Sequence, residues 1–103
     1  MIRHAFRMKI PPQYAGEYTR RHAEIWPELV EALKGAGISD YSIFLDETSG
    51  DLFALMHVED SGRLDELGTL PVMQKWWAAN TDIQDYDGAR PWSKPLREVF
   101  FLK

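Results

Sequence analysis

The sequence contains no cysteine among its 103 residues, which excludes disulfides, thiolate metal ligands and cysteine nucleophiles. It also has no cluster of lysine and arginine, and its formal net charge is -4 at pH 7. Nucleic acid is therefore not an expected partner, because its phosphates require a basic patch. Any chemistry has to come from oxygen and nitrogen groups, acting on a neutral or cationic small molecule.

Long apolar runs are absent as well, and none approaches the roughly 20 residues that cross a bilayer. The first ten residues alternate apolar and charged side chains, unlike the continuous apolar segment of a secretory signal. We therefore expect no membrane partner and a cytoplasmic location. The chain length, with 45% hydrophobic and 27% charged residues, predicts one globular domain over residues 1–103.

Hydropathy patterns predict elements in the order β-α-β-β-α-β. Residues 14–36 follow a helical period that Pro27 interrupts, so we expect a kink or break between Ala23 and Trp26, with Gly35 and Gly37 as a left-handed cap. The other predicted elements are strands over 2–10, 41–45, 52–58 and 96–102, a short helix capped by Asp60 or Ser61, and a helix with Pro71 in its first turn. This order is the split unit of the ferredoxin-like α+β fold, a four-stranded antiparallel sheet with its helices on one face.

Two of the predicted strands are apolar on both faces. Phe53 and Leu55 alternate with other apolar residues in strand 52–58, and strand 96–102 has Phe100 on one face and Phe101 on the other. Helices cover only one face of such a sheet, and monomers seldom expose so large an apolar area. We therefore predict a homodimer in which a second subunit covers the other face.

The region 14–36 presents one apolar face and one charged face at helical spacing. The apolar face comprises Tyr18, His22, Ile25, Trp26, Leu29 and Leu33. The charged face comprises Glu17, Arg20, Arg21, Glu24, Glu28 and Glu31, and is interpreted as a solvated surface with i,i+4 ion pairs. Tyr18 and His22 lie one turn apart and point inward, where both need polar partners.

Further aromatic residues point to a ligand cavity near His22. Tyr41 begins a predicted strand, and Trp76 and Trp77 are adjacent on a helix, so their indoles diverge by about 100° and one is expected to line an opening. Trp92 is either another wall or an anchor for its own loop. Rings with hydroxyls and a histidine suit a sugar. Alternatively, His22 is a core histidine bonded to a backbone carbonyl, and the tryptophans are core and interface residues.

No metal or cofactor is expected. His4, His22 and His57 lie on separate elements without metal-ligand spacing, and the sequence has neither a glycine-rich phosphate loop nor a G-x-S-x-G nucleophile motif.

A set of blocks distributed along almost the whole chain resembles the L-rhamnose mutarotase family. These blocks are "MIRHAFRMKI", "RRHAEIWPELVEAL", "DYSIFLD", "LFALMHVE", "QKWWAANTD" and "LREVFFLK". The resemblance implies a dimeric ferredoxin-like α+β barrel and an isomerase that interconverts the α and β anomers of L-rhamnose without a cofactor, in the bacterial cytoplasm. It further implies that His22 is the proton donor and that Tyr18, Tyr41, Trp76 and Trp77 bind the sugar. The chain departs from the family pattern at Ala23 and Glu24, and the segment from Asp85 to Lys94 matches only loosely.

Anomer exchange requires protonation of the ring oxygen and deprotonation of the anomeric hydroxyl. We expect His22 to protonate the ring oxygen, with Tyr18, Tyr41 or a bound water serving O1. Three other functions stay open from the residues alone: a non-catalytic sugar-binding or regulatory module, a cofactor-free monooxygenase on the same dimeric barrel, and a structural dimer. The residues leave the preferred sugar open among rhamnose and related pyranoses.

Overall fold

The computed structural model describes residues 2–103 and has the expected element order with two additional short strands. The elements are β1 (Ile2–Lys9), α1 (Ala15–Ala23), α2 (Pro27–Gly35), β2 (Ile38–Leu45), β3 (Asp51–Val58), α3 (Ser61–Leu67), α4 (Pro71–Ala79), β4 (Tyr86–Asp87), β5 (Arg90–Pro91) and β6 (Lys94–Leu96). A single 3-10 turn, Pro12–Tyr14, leads into α1. Within residues 2–103, no helix is both long and apolar enough to traverse a membrane.

Four of the strands form one antiparallel sheet in the order β2-β3-β1-β6. The inner face of β3 is buried through Leu52, Ala54, Met56 and Val58, and these residues belong to a core shared with helix residues such as Leu29. The helices therefore cover one face of the sheet, which confirms the predicted ferredoxin-like architecture. The two short strands β4 and β5 pair separately as a hairpin.

Pro27 divides the first helical region into two helices, as predicted. Helix α1 ends at Ala23, and Trp26 precedes the proline in an extended conformation (φ -63°, ψ 131°). A proline disfavours helical geometry in the residue before it, but fits the first turn of the next helix, where its missing N–H is not needed. The break preserves the apolar face, because Ile25 and Leu29 both line the same cavity as His22.

The predicted caps are found close to their expected positions. The Asp60 side chain accepts a hydrogen bond from the backbone N–H of Arg63 at 3.0 Å and caps α3. Gly37 adopts the left-handed conformation (φ 80°) after α2, whereas Gly35 is the last helical residue.

The final strand is much shorter than the alternation over 96–102 predicts. Strand β6 comprises Lys94–Leu96, and the segment 97–103 has no strand structure and is exposed. Backbone pairing with β1 ends where Leu96 meets Ala5. Beyond that point, only side chains connect the two segments: Arg3 Nε donates to Glu98 at 3.0 Å and its guanidinium lies 4.7 Å from the Phe101 ring centroid. Alternation shows that a segment is able to form a strand, but a strand also needs a neighbour to pair with.

Gly50 in the β2–β3 turn is the glycine whose conformation the sheet requires. Its φ is 80°, its C=O accepts a hydrogen bond from Ile10 N–H at 2.9 Å, and an added Cβ would lie 1.9 Å from the Ile10 oxygen. We expect Gly50→Ala to lower the free energy of unfolding by about 1–3 kcal/mol from backbone strain, with the steric clash adding to the loss. Urea unfolding measures this change.

Gly16 provides the matched control for Gly50. It lies in α1, and a Cβ added there would have no neighbouring atom within 4 Å, so Gly16→Ala is expected to stabilise the protein by about 0.4–1 kcal/mol. Equal unfolding midpoints for the two variants would contradict this account of the turn.

Candidate active site

A cavity of about 840 Å³ lies between the helices and the inner face of the sheet. Its volume is within the range of about 300–1,000 Å³ that is typical of small-molecule sites. All five residues singled out from the sequence line it: Tyr18, His22, Tyr41, Trp76 and Trp77. The sheet contributes Tyr41, while α1 and α4 contribute the other four.

The His22 ring lies between two other aromatic rings. Its centroid is 4.2 Å from that of Tyr18 in a stacked arrangement, and 5.4 Å from that of Trp76 in an edge-on arrangement. Trp26 meets Trp76 edge-on as well, with centroids 5.1 Å apart. The imidazole is therefore fixed in orientation by packing on two sides.

One ring nitrogen of His22 is bonded to the backbone and the other is available. Nδ1 lies 3.0 Å from the carbonyl oxygen of Tyr18, which only accepts, so Nδ1 carries the proton and donates it. Nε2 has no hydrogen-bond partner within residues 2–103 and is not sealed from solvent. Burial lowers the pKa of His22, while the hydrogen bond to Tyr18 opposes that shift in part. The predominant form at neutral pH is thus the neutral imidazole with its lone pair on Nε2.

The two tyrosines of the cavity keep their phenolic protons. Burial raises the pKa of Tyr41 to about 12, and raises the pKa of Tyr18 still further with smaller effects from Tyr41 and Tyr86. Each hydroxyl is therefore able to donate one hydrogen bond to a ligand and to accept others.

A bulge in β2 directs Tyr41 toward the cavity. Strand β2 begins at Ile38 rather than at Tyr41, and its pairing with β3 shifts register between Ser39 and Ser42. Asp40 and Tyr41 together face the single residue between the β3 partners of Ser39 and Ser42, and Asp40 adopts a left-handed conformation (φ 47°). The extra residue places Tyr41 on the inner face, whereas regular alternation from Ser39 would place it on the outer face.

The adjacent tryptophans differ in burial, although both line the cavity. Trp76 is buried (8% exposed) and packs in the core, whereas Trp77 is half-buried. The guanidinium of Arg90 lies 5.4 Å from the Trp77 ring centroid, and the Tyr86 hydroxyl donates to the Trp77 carbonyl. Only one of the two indoles was predicted to line an opening. The structure shows that both line the cavity.

The cavity also contains polar residues that were not predicted as site residues. These are His4, Thr19, Asp65, Arg90 and Ser93. Arg90 and Ser93 come from the turn-rich segment after α4, where no periodicity indicates the direction in which a side chain points. His4 lies on the inner face of β1, and the alternation of side chains along this strand is the sequence signal that could have identified it.

Trp92 does not line this cavity. It lines a separate shallow pocket with Lys9, Asp85 and Tyr86, and the Arg7 guanidinium lies 5.4 Å from its ring centroid. Within residues 2–103, no three histidine or carboxylate side chains converge in a way that suits a metal ion.

Arg21 does not belong to a purely solvated surface, contrary to the sequence interpretation. Its neighbour Arg20 pairs with Glu24 on the exposed side of α1, as expected, and also with Glu17. The Arg21 side chain makes the predicted i,i+4 pair with Glu17 at 3.3 Å, but it is only 23% exposed and also reaches α4 and Asp82. Helical spacing indicates a face, but not which distant element approaches the edge of that face.

Comparisons with known proteins agree with this fold and show the family. The sequence model for L-rhamnose mutarotase matches residues 3–102. The chain belongs to the L-rhamnose mutarotase family. Curated relatives of that name include proteins from Acidiphilium cryptum, 54% identical over 95% of each chain, and from Rhizobium meliloti, 48% identical over the full length of both. The crystal structure of an L-rhamnose mutarotase from Formosa agariphila covers 100% of both chains with a TM-score of 0.92 and 38% identity.

More distant structures share the fold alone. A crystal structure described as an antibiotic biosynthesis monooxygenase covers 96% of this chain and 99% of its own, with a TM-score of 0.63 and 17% identity. The ferredoxin-like scaffold is thus common to proteins with different names, and the side chains of the cavity have to distinguish them.

The lowered pKa of His22 has a consequence for stability. The unfolded chain, with its histidine near pKa 6.5, binds more protons than the folded one between the two pKa values. The free energy of unfolding that is due to His22 is therefore fully present above about pH 7, declines as the pH falls through 6.5, and levels off below the folded pKa. In His22→Gln this component should vanish. Urea unfolding at pH 7.5, 6.5 and 5.5 measures it, and an equally steep decline in both proteins would contradict the shift.

Proposed function

We propose that this protein, as a single domain over residues 1–103, catalyses the interconversion of the α and β anomers of L-rhamnose. The observation that carries the proposal is the available Nε2 of His22, held in an aromatic cavity of a chain from this family. We also propose that it acts in the cytoplasm and without a cofactor. The reaction is a proton rearrangement between oxygen atoms of the sugar, for which an imidazole is sufficient.

The cavity suits a pyranose in its surface chemistry. The C–H faces of a sugar ring pack on indole faces, which Trp77 and Trp76 provide. Its hydroxyls need donors and acceptors, which the protonated Tyr18 and Tyr41 hydroxyls provide. We propose that these four residues bind the sugar. The methyl group of a 6-deoxy sugar would be accommodated by the aliphatic wall of Ile25, Leu29 and Leu33.

We propose that His22 protonates the ring oxygen, O5, because O5 keeps its position during the reaction whereas O1 moves. When the ring opens, O5 gains a proton, O1 loses one and the bond between C1 and O5 breaks. The new aldehyde then rotates about C1–C2, which turns the other face of C1 toward O5, and O1 occupies the opposite side after closure. One rigid side chain can serve O5 in both half-reactions, whereas it cannot follow O1.

The proton at O1 is better served by water or a hydroxyl. A water molecule between the sugar and Tyr18 or Tyr41 can follow the rotating carbonyl and exchange protons with it. His22 acts in its imidazolium form, the minor form at neutral pH: it gives its Nε2 proton to O5 on opening and recovers it on closing, so the enzyme is unchanged at the end of the cycle. Its lowered pKa makes the imidazolium a stronger acid, and the Tyr18 carbonyl bound to Nδ1–H stabilises that charged form.

Saturation-transfer NMR on equilibrated L-rhamnose tests the activity. One anomeric proton is irradiated and the other is observed, with and without protein. We expect transfer that depends on the protein and is reduced about 10²–10⁴-fold in His22→Gln, the usual contribution of a positioned acid–base group. His57→Gln is the control, since His57 lies on the opposite face of the sheet beside Asp40.

The outcomes separate the alternatives. Transfer that survives in His22→Gln would reject His22 as the proton donor. If folded protein gives no transfer but binds rhamnose, the sugar-binding module is the better description, and His22→Gln should then reduce affinity instead of rate.

We propose further that the protein acts as a homodimer through the outer face of the sheet. On that face Phe44 of β2, which is 64% exposed, lies opposite Phe53 of β3. Ala5 of β1 lies between Leu55 of β3 and Leu96 of β6. The segment 97–103 adds exposed apolar side chains beside it. Apolar area of this extent favours association with a second copy.

Sedimentation equilibrium at micromolar concentration tests the dimer. We expect a mass twice the 11.9 kDa of the chain. Phe44→Asp introduces a charge on the outer face of the edge strand β2, opposite Phe53, and should give a monomer. Lys34→Glu, a charge change on the helical side, should leave the dimer intact. A monomeric wild-type protein would refute the assembly without affecting the assignment of the activity.

A further inference from the structure

Arg21 connects the two helices that provide most of the aromatic walls of the cavity. Its guanidinium donates to both carboxylate oxygens of Asp82, at 3.0 Å each, and to the Ala79 carbonyl at 3.0 Å. It also donates to the Asn80 side-chain oxygen at 3.2 Å, and its Nε donates to Glu17 of its own helix at 3.3 Å. A planar guanidinium is suited to such a set, because it presents its donors in a rigid fork.

This set of hydrogen bonds continues to a cavity residue. Asn80 is buried, and its amide nitrogen donates to the Trp76 carbonyl at 2.8 Å. Arg21 precedes His22 in the chain, so the histidine and the arginine project from neighbouring positions of α1. The network thus begins beside His22 and ends at the backbone of Trp76, whose ring the imidazole meets edge-on.

The position of the network at the end of α4 adds electrostatic stabilisation. Carbonyls at a helix C-terminus lack intrahelical partners and carry partial negative charge, which a cation offsets. Arg21 is partly buried there, so it is screened less than Arg20, which pairs only with carboxylates of its own helix. A bidentate pair in this setting has a defined geometry that an exposed i,i+4 pair does not have.

We propose that Arg21 and Asp82 are positioning residues that hold α1 against the C-terminal end of α4, and so fix the distance between the His22 imidazole and Trp76. The effect of this pair on catalysis rests on the proposed function. Its effect on the imidazole does not, because the ring environment is measurable without a substrate.

Asp82→Ala is the decisive variant, since Asp82 is 63% exposed and its loss does not open the core. We expect kcat for anomer exchange to fall about 10- to 100-fold, the order of loss that follows a displacement of about 1 Å in an active site, with KM changed less. We also expect the pKa of His22, followed by the NMR signal of its ring protons, to move up toward its ordinary value as water enters between α1 and α4.

Arg21→Lys and Arg20→Gln complete the experiment. Lysine keeps the charge but cannot donate to both Asp82 oxygens in the fixed geometry of a guanidinium, so Arg21→Lys should resemble Asp82→Ala. Arg20→Gln alters the adjacent arginine of the same helix and should keep the wild-type kcat and His22 pKa. A wild-type kcat and His22 pKa in Asp82→Ala would overturn the proposal, as would an equal loss in Arg20→Gln. If the wild-type protein fails to exchange anomers, the proposed function fails, while the His22 pKa still decides whether this pair positions the ring.

Discussion

The edge-on contact between His22 and Trp76 is the interaction on which the architecture of the site depends. It joins α1 to α4 across a cavity of about 840 Å³, a large interruption in the core of a 103-residue chain. Protein interiors are otherwise close-packed, and empty apolar space costs stability. Rigid rings stacked against one another resist collapse into that space better than flexible aliphatic chains do. The aromatic residues therefore keep the helices apart as well as forming a surface for a ligand.

The same packing determines the chemistry available to the histidine. Burial favours the neutral ring, and the Tyr18 carbonyl selects the tautomer with the proton on Nδ1. These two effects leave a single exchangeable position, Nε2, in a known orientation. Protonation state and geometry thus arise from the same few contacts, so that a change in packing at α1 or α4 alters both.

Much of the fold, and the aromatic side chains that α1 and α4 contribute to the cavity, were predictable from the sequence, because both depend on local periodicity. The spacing of Tyr18 and His22 places them on one helical face, and proline chemistry at Pro27 predicts the break that the structure contains. The features that escaped prediction depend on contacts distant in sequence. Arg21 finds its partners some 60 positions away, and β6 ends where its neighbour stops pairing, which no pattern within residues 96–102 reveals.

The bulge at Asp40 has a consequence for how this chain tolerates changes in length. A strand places successive side chains on opposite faces, but the bulge sets Asp40 and Tyr41 together opposite one residue of β3, so the alternation needs only one of the two. Loss of Asp40 would leave Tyr41 alone opposite that residue and still on the inner face, since Ser39 and Ser42 would keep their partners on β3. Surface loops usually accept insertions and deletions, and the bulge gives a similar tolerance to one position of this strand, next to a side chain that lines the cavity. A related chain with a one-residue gap at this point is therefore expected to keep its tyrosine in the cavity, on a regular strand without the bulge.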